Sequence, residues 1–491
     1  MEGIYRPTIG LEVHAELKTR TKMFCDSLND PDEKNPNVNV CPVCLGHPGA
    51  LPTINKQAVE HVIKVGLALG SVPNGETRFD RKNYFYPDLP KAYQISQSEK
   101  PLVIGGTLKG VKINHIHLEE DAGKLGHSDK GSSSAKATEG THVTSDKDYS
   151  LVDYNRSSVP LMELVTEPDL HTAEDAVAFM KELQLVLRYL GVSDADLERG
   201  QMRADANISV SPTDKLGTRA EVKNLNSFRS VFQAINYEIK RQTEILERGE
   251  TVHQETRGWD DAKQKTTSQR SKEEAQDYRY FPEPDLPPFE TSIFNIESLK
   301  ASIPELPAVK RARFQSEYAL SENQSELLVQ DQILSGFFEE AVSELREEQG
   351  ETRGVQGLFN YLTGDLRGLM NEAGIGFADS KISPEHFAHL VGLVGDKKIT
   401  TRQAKDILAK MFETGLDPED IVKSEGIGTT SDFAEIEPVL QSVIAENPAA
   451  VADYKKGKTA SLQFLIGKAM GKLKGRARPE DLTESFREML K

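Results

Sequence analysis

The sequence predicts an α+β chain in which a β-rich first part, carrying the chemistry, is followed by an all-α second part and a small helical tail. Three observations predict it. To about Phe294, apolar and polar residues alternate with period two among frequent Gly and Pro. From about Ile296, apolar residues recur three and four apart. Closely spaced prolines in PEPDLPPF (282–289) and IPELP (303–307), which neither helix nor sheet interior accommodates, mark the change. A chain of 491 residues exceeds what one core usually organises. A further break at 415–418, where Asp417-Pro418 starts a helix, gives expected domains 1–295, 296–414 and 415–491.

Acids outnumber bases 77 to 60, a formal charge of -17, so no global positive field recruits nucleic acid or an anionic membrane. No apolar run approaches the roughly 20 residues of a membrane span. The start, MEGIYRPTIGLEV, has no basic-then-apolar leader and no Arg-rich presequence, which makes the cytoplasm the expected compartment. Three clustered cysteines, an odd number, fit a reducing compartment.

The elements follow in chain order. GLEVHAEL is a strand with Leu11, Val13, Ala15 and Leu17 on one face and Glu12, His14 and Glu16 on the other. Two carboxylates bracketing an imidazole suit a divalent cation; a solvated strand face is the alternative. Cys41-Pro42-Val43-Cys44, with Cys25, forms a knuckle of zinc spacing. Its fourth ligand would be Asp26 or His47, and a zinc-free cluster stands equally open. FDRKNYFYPDLPKAYQIS interleaves Arg81, Lys82 and Lys91 with Tyr84, Phe85, Tyr86 and Tyr93, a composition that suits phosphates and stacked bases as well as a plain core.

In NHIHLEEDAGK, His115, His117 and Glu119 share a face and Glu120 points the opposite way unless the strand ends there. The segment 127–148, containing GSSSAKATEG, has almost no large apolar residue and reads as a flexible insertion, not a serine nucleophile site. Glu163 sits within the apolar VPLMELV, where an ionised carboxylate needs a cation or a partner. QMRADANISV puts Arg203, Asp205 and Asn207 on its polar face, and TRAEVKN, placed beside it by a turn-rich link, adds Glu221 and Lys223. Acids and imidazoles beside cations suit metal-assisted phosphoryl transfer. Neither a Walker A loop nor GxGxxG after a strand is present.

The second part reads as helices over 326–345, 355–371, 386–394 and 401–412. In the tail, 454–478 carries Lys455, Lys456, Lys458, Lys468, Lys472, Lys474, Arg476 and Arg478 and no acid. With Leu462, Leu465, Ile466 and Ala469 at helical spacing, this is a basic helix; phosphate-backbone contact is preferred over a merely solvated face.

IGLEVHAEL, CPVCLGHPGALP, FDRKNYFYPDLPKAYQISQ, HLEEDAGK, SLVDYNRSSVPLMELVTEPD, MRADANIS, EVKNLNSF and DYRYFPEPDLPP, with the GK…FLIGKAM tail, occur in order across essentially the whole chain. Together they resemble the GatB family, the B subunit of aspartyl/glutamyl-tRNA(Asn/Gln) amidotransferase. The resemblance implies a cradle-shaped first domain, a helical middle domain and a tail that helps hold tRNA. It implies ATP-dependent transamidation: ATP phosphorylates the side-chain carboxylate of Glu-tRNA(Gln) or Asp-tRNA(Asn), and ammonia then displaces phosphate. It implies a heterotrimer, in which the amidase subunit (GatA) makes the ammonia and a small subunit (GatC) fastens the two together. Mg²⁺ is then held by positions matching Glu12, His14, an acid of the Glu119-Glu120 pair and Glu163, with Glu12, His14, Glu120 and Glu163 as the catalytic set. Lys82, Arg203, Asp205 and Lys223 are assigned to ATP or the acceptor end on their chemistry. Two departures stand out: Cys25-Asp26-Ser27 replaces the Cys-x-Cys of members with a full zinc knuckle, and the insertion after HLEEDAGK is long. The alternatives are a free-standing metal-dependent phosphotransferase or hydrolase and a non-catalytic tRNA-holding subunit.

Overall fold

The computed structural model describes residues 5–30, 32–127, 150–271, 278–349, 354–426, 433–473 and 477–490. The chain divides into two compact units, Met1–Pro307 and Ala308–Lys491.

The first unit is built on a mixed sheet whose central strand is Arg6–Glu16. This strand pairs antiparallel with Met202–Ser211 on one side and Pro160–Thr166 on the other, and Val111–Glu120 continues the ladder beyond the latter. Outward from Met202–Ser211 run Ala220–Leu225, Glu255–Asp260 and Lys265–Ser271, the first two of these pairing parallel. The expected alternation holds. Ile9, Leu11, Val13 and Ala15 are at most 1% exposed and meet the apolar sides of Ala204, Ala206 and Ile208 in one core. Helices Lys56–Ala68, Ala173–Tyr189 and Phe228–Glu247 supply Val59, Val62, Phe179, Leu183, Val231 and Ala234 to that core. Each helix starts at an Asn, Thr or Ser whose side chain accepts a first-turn backbone N–H. With one sheet face covered in this way, the polar face stays open.

The helical texture begins at residue 296 as expected, but the first unit does not end there. Helix Ile296–Ala301 packs Ile296 and Leu299 onto the sheet's core, and Ile303 and Leu306 follow them, so the unit extends to Pro307. Periodicity identified the element; it carried no information on which core would receive its apolar side.

The second unit is helical throughout its described residues. The expected 326–345 helix is two, Glu322–Val329 and Gln332–Gln349. Asp331 divides them, its Oδ1 accepting from the backbone N–H of Ile333 and Leu334 at 3.0 and 3.1 Å. The expected 355–371 helix is interrupted by a wide π turn at Tyr361–Leu366. Asp417 and Pro418 do start a helix, Pro418–Glu425, but it packs against Pro384–Gly395 and Thr401–Thr414 and not into the tail. The tail has its own core of Ile436, Leu440, Val443, Leu465, Ile466, Leu482 and Phe486. The expected insertion 127–148 lies outside the described residues except for the backbone of His127; strands Lys124–His127 and Ser150–Asp153 pair on either side of it. Among the described residues, no helix is long and apolar enough to cross a membrane.

Candidate active site

The register of the central strands makes the site. Arg203 faces His14, His14 faces Glu163, and Glu163 faces His117, one residue from each of four adjacent strands. Two residues along, Asp205 faces Glu12. With a side-chain period of two, both rows stand on the open polar face. They line a cavity of about 820 Å³ together with Lys82, Lys223, Tyr278 and Tyr280.

His14 Nε2 lies 3.0 Å from Glu163 Oε2 and 3.7 Å from Glu119 Oε1. His117 Nε2 lies 3.5 Å from Glu163 Oε2 and 3.9 Å from Glu119 Oε2. Burial alone would raise the two carboxyls, but His117, His14 and Lys82 outweigh it, and both are held below the usual carboxylate range. Conversely, burial would lower the His14 imidazole, and the facing Glu163 and Glu119 raise it. His14, Glu119 and Glu163 each offer a ligand atom within 4.8 Å of the others. Two ionised carboxylates and an imidazole on rigid strands fit a divalent cation.

Glu12 stands in a second group. One oxygen each of Glu12, Asp205 and Glu221 fall within 4.8 Å of one another. Lys223 Nζ bridges Asp205 and Glu221 at 2.8 and 3.1 Å, and Asn207 Nδ2 donates to Glu12 at 2.9 Å. Burial, then Glu163, raises the Glu12 carboxyl. Expected as one cation-binding set, Glu12 and His14 thus divide between neighbouring clusters.

Glu120 is a correction. Placed in the catalytic and metal set by resemblance, it points away from the cavity because it follows Glu119 on a regular strand. Its carboxylate receives Lys91 Nζ at 2.6 Å and the backbone N–H of Ile95 at 2.9 Å. It is half of a buried ion pair outside the cavity lining, and Glu119 is the member of the pair that lies beside His14.

Lys82 reaches the cavity wall with Nζ 5.1 Å from the Tyr278 ring centroid, and despite burial Glu119 keeps its ammonium charged. Arg203 donates to Asp121 at 3.1 Å, and that carboxylate above all holds the guanidinium charged. Lys82, Arg203, Asp205 and Lys223 therefore all join the site. Sequence reasoning passed over Arg156, Tyr278 and Tyr280 and noted Asp121, His115, His117 and Glu221 without assigning them a role. The face-sharing of His115 and His117 with Glu119 was a usable signal. Nothing in the sequence brings Tyr278 to Lys82: Asn83 does so by donating to the carbonyls of Tyr278 and Arg279 across nearly 200 residues of chain.

The cysteines converge: Cys25, Cys41 and Cys44 Sγ lie within 4.8 Å of one another, with Cys41 and Cys44 at 3.8 Å. Among the described residues neither Asp26 nor His47 joins them. Lys22 does, 0% exposed, with Nζ 3.8 Å from Cys44 Sγ and 3.1 Å from the Tyr154 carbonyl. A hydrogen bond from Cys25, then the Lys22 charge, lowers the Cys44 thiol to about 5. The residues do not fit a closed four-ligand zinc site.

In the tail, Lys455, Lys456 and Lys468 are exposed. Lys458, Lys472 and Arg478, read from the sequence as uncompensated, pair with Asp453, Glu446 and Asp481. The Lys458 and Lys472 pairs are exposed and of the weak kind, whereas Arg478 is half-buried and bidentate on Asp481. Lys474 and Arg476 lie outside the described residues.

Residues 7–296 match the GatB/GatE catalytic domain, and residues 336–490 match the GatB domain. The chain is 45% identical over 499 aligned positions, 99% of both chains, to a Dehalococcoides mccartyi protein named as the B subunit of aspartyl/glutamyl-tRNA(Asn/Gln) amidotransferase. Proteins of the same name from Thermomicrobium roseum, 46% identical over 97% of this chain and 96% of its own, and Thermotoga maritima, 44% identical over 99% of each, are similar to it.

Proposed function

The chain belongs to the GatB family of aspartyl/glutamyl-tRNA(Asn/Gln) amidotransferase subunits, and on that premise we propose that it carries out the activation and amidation steps of transamidation on misacylated Glu-tRNA(Gln), Asp-tRNA(Asn) or both, in the cytoplasm. In the first step the substrate carboxylate oxygen bonds to the γ-phosphorus of ATP, and the bond to ADP breaks. In the second, ammonia nitrogen bonds to the acyl carbon, and phosphate leaves with the electron pair of the broken C–O bond.

The observation that carries this reading is the row Arg203, His14, Glu163 and His117 in one cavity with Lys82. His14, Glu119 and Glu163 would hold Mg²⁺, which when bound neutralises phosphate oxygens and orients them. Lys82 and Arg203 meet the remaining phosphate charge; Lys223, anchored by Asp205 and Glu221, presents a further ammonium where the nucleotide or acceptor end enters. Because carboxylates already fix Arg203 and Lys223, little reorganisation of these two cations accompanies the transfer. Ammonia comes from the amidase GatA, with the small protein GatC completing the heterotrimer. The tail lysines Lys455, Lys456 and Lys468 contact the tRNA backbone. The test is reconstitution with GatA, GatC, ATP, Mg²⁺ and either misacylated tRNA. Amidated tRNA with stoichiometric ADP is expected; ATP turnover by the isolated chain without tRNA would overturn the reading in favour of a free-standing phosphotransferase.

A further inference from the structure

The amidation step leaves a proton unassigned. Ammonia that has bonded to the acyl carbon carries one hydrogen too many, and the amide forms only when a base removes it. The cavity carboxylates Glu119 and Glu163 are held by His14, His117 and Lys82, and a bound cation would occupy them further.

His115 lies on the same wall at the edge of that cluster, with no ion pair to Glu119 or Glu163 among the described residues. Its Nδ1 lies 2.7 Å from Asn114 Oδ1. The Asn114 amide is itself oriented, because its Nδ2 donates to Glu167 Oε1 at 2.6 Å. Oδ1 therefore faces the ring as an acceptor and Nδ1 must carry the hydrogen. In the neutral ring this leaves Nε2 as a lone-pair acceptor, and among the described residues nothing hydrogen-bonds to it. The ring stacks on His117 at 5.2 Å between centroids and lines the cavity. Burial, then the facing His117, lowers its imidazole to about 4, so the ring is neutral at physiological pH; Glu163 and Glu167 act weakly in the opposite sense. The Val103–Ile104 strand packed on its other side brings no charge.

We propose that His115 is the proton acceptor of the amide-forming step, its Nε2 taking the hydrogen that the attacking nitrogen sheds. The C–N bond forms, the proton passes to Nε2, the C–O bond breaks toward phosphate, and the imidazolium returns the proton to the departing phosphate, which leaves as hydrogen phosphate. Ammonia and acyl phosphate thus give amide and hydrogen phosphate with the imidazole regenerated. The proposal rests on the transamidation reading above.

The test uses the reconstituted complex with ammonium chloride or hydroxylamine as the nitrogen source, and measures ADP release, amide and hydroxamate. Hydroxylamine loses its proton far more readily and has little need of a base. For His115→Gln and His115→Ala, amide formation should fall by about 10²-fold, the scale of general base catalysis, while ADP release and hydroxamate formation persist. Added imidazole should restore amide formation in His115→Ala, and Asn114→Ala should lower it several-fold without changing the KM for ATP. Unchanged amide formation in His115→Gln would overturn the proposal, as would equal loss of ADP release and hydroxamate. A wild-type complex that releases no ADP with misacylated tRNA would overturn the underlying reading itself, and this proposal with it.

Discussion

Nε2 of His14 and Oε2 of Glu163 lie 3.0 Å apart across two adjacent antiparallel strands, each in the other's register position. The pair is the hinge of the site's electrostatics: the carboxylate raises the imidazole, and the imidazole helps hold the carboxylate ionised in a largely buried setting. Glu163→Gln keeps the shape and removes the charge. We expect tRNA-dependent ADP formation to fall by about 10²- to 10³-fold, the scale of losing one preorganised electrostatic partner, with the glutaminase activity of GatA intact. Steady-state ADP and glutamate assays on the reconstituted complex check it.

Glu119 and Glu120 are adjacent in sequence and opposite in role. Glu119→Gln should abolish activation. Glu120→Gln should leave activation per folded molecule intact and lower the melting temperature. It leaves the Lys91 ammonium without its counter-charge in a site where the pair is 11% and 1% exposed, a loss of about 3–5 kcal/mol when one member of a buried pair is removed. Thermal denaturation and specific activity per folded molecule separate the two outcomes.

Lys223 compensates carboxylates that otherwise repel one another. Lys223→Met should lower the melting temperature and raise the KM for ATP. Added Mg²⁺ should recover part of the thermal loss, since a divalent cation can take over the ammonium's role. Differential scanning calorimetry with and without Mg²⁺ measures this.

His115 also sets a pH dependence of stability. Its folded-state value, about 4, lies below the ordinary 6.5 of an unfolded chain, so between these values the unfolded chain binds more protons. Stability therefore rises with pH through this window, by at most about 1.4 kcal/mol per unit from this group, and is fully present above 6.5. Urea melts of wild type and His115→Gln at several pH values between 4 and 7 should show a shallower slope in the variant.

The tail's contribution is electrostatic and should be read by salt. Neutralising Lys455, Lys456 and Lys468 together should weaken tRNA binding and flatten the log–log salt dependence by roughly 0.7–0.9 per lost phosphate contact. Filter binding across a salt series checks it, with activation of a saturating substrate expected to change little.

Much of this site is legible in the sequence because strand geometry is local. The alternation of GLEVHAEL and QMRADANISV determines which side chains share a face, and Glu163 announces itself as a charge within an apolar run. Alternation also separates Glu119 from Glu120, although the family resemblance alone blurred the pair. What alternation does not supply is register. That Glu12 falls beside Asp205 and Glu221 while His14 falls beside Glu163 depends on how strands far apart in the chain are aligned. The same limit applies to Lys22, an ordinary lysine in the sequence that becomes a buried counter-charge to Cys44 only through the fold of residues 41–44.

Both cavity rows hang on a strand whose two sides differ completely, Leu11 and Val13 in the core and Glu12 and His14 above it. A substitution there alters one group, whereas a single added or deleted residue would turn part of the strand over, driving acids inward and leucines into water. Across related chains this segment should therefore keep its length, and surviving insertions should collect in the connections beyond its ends.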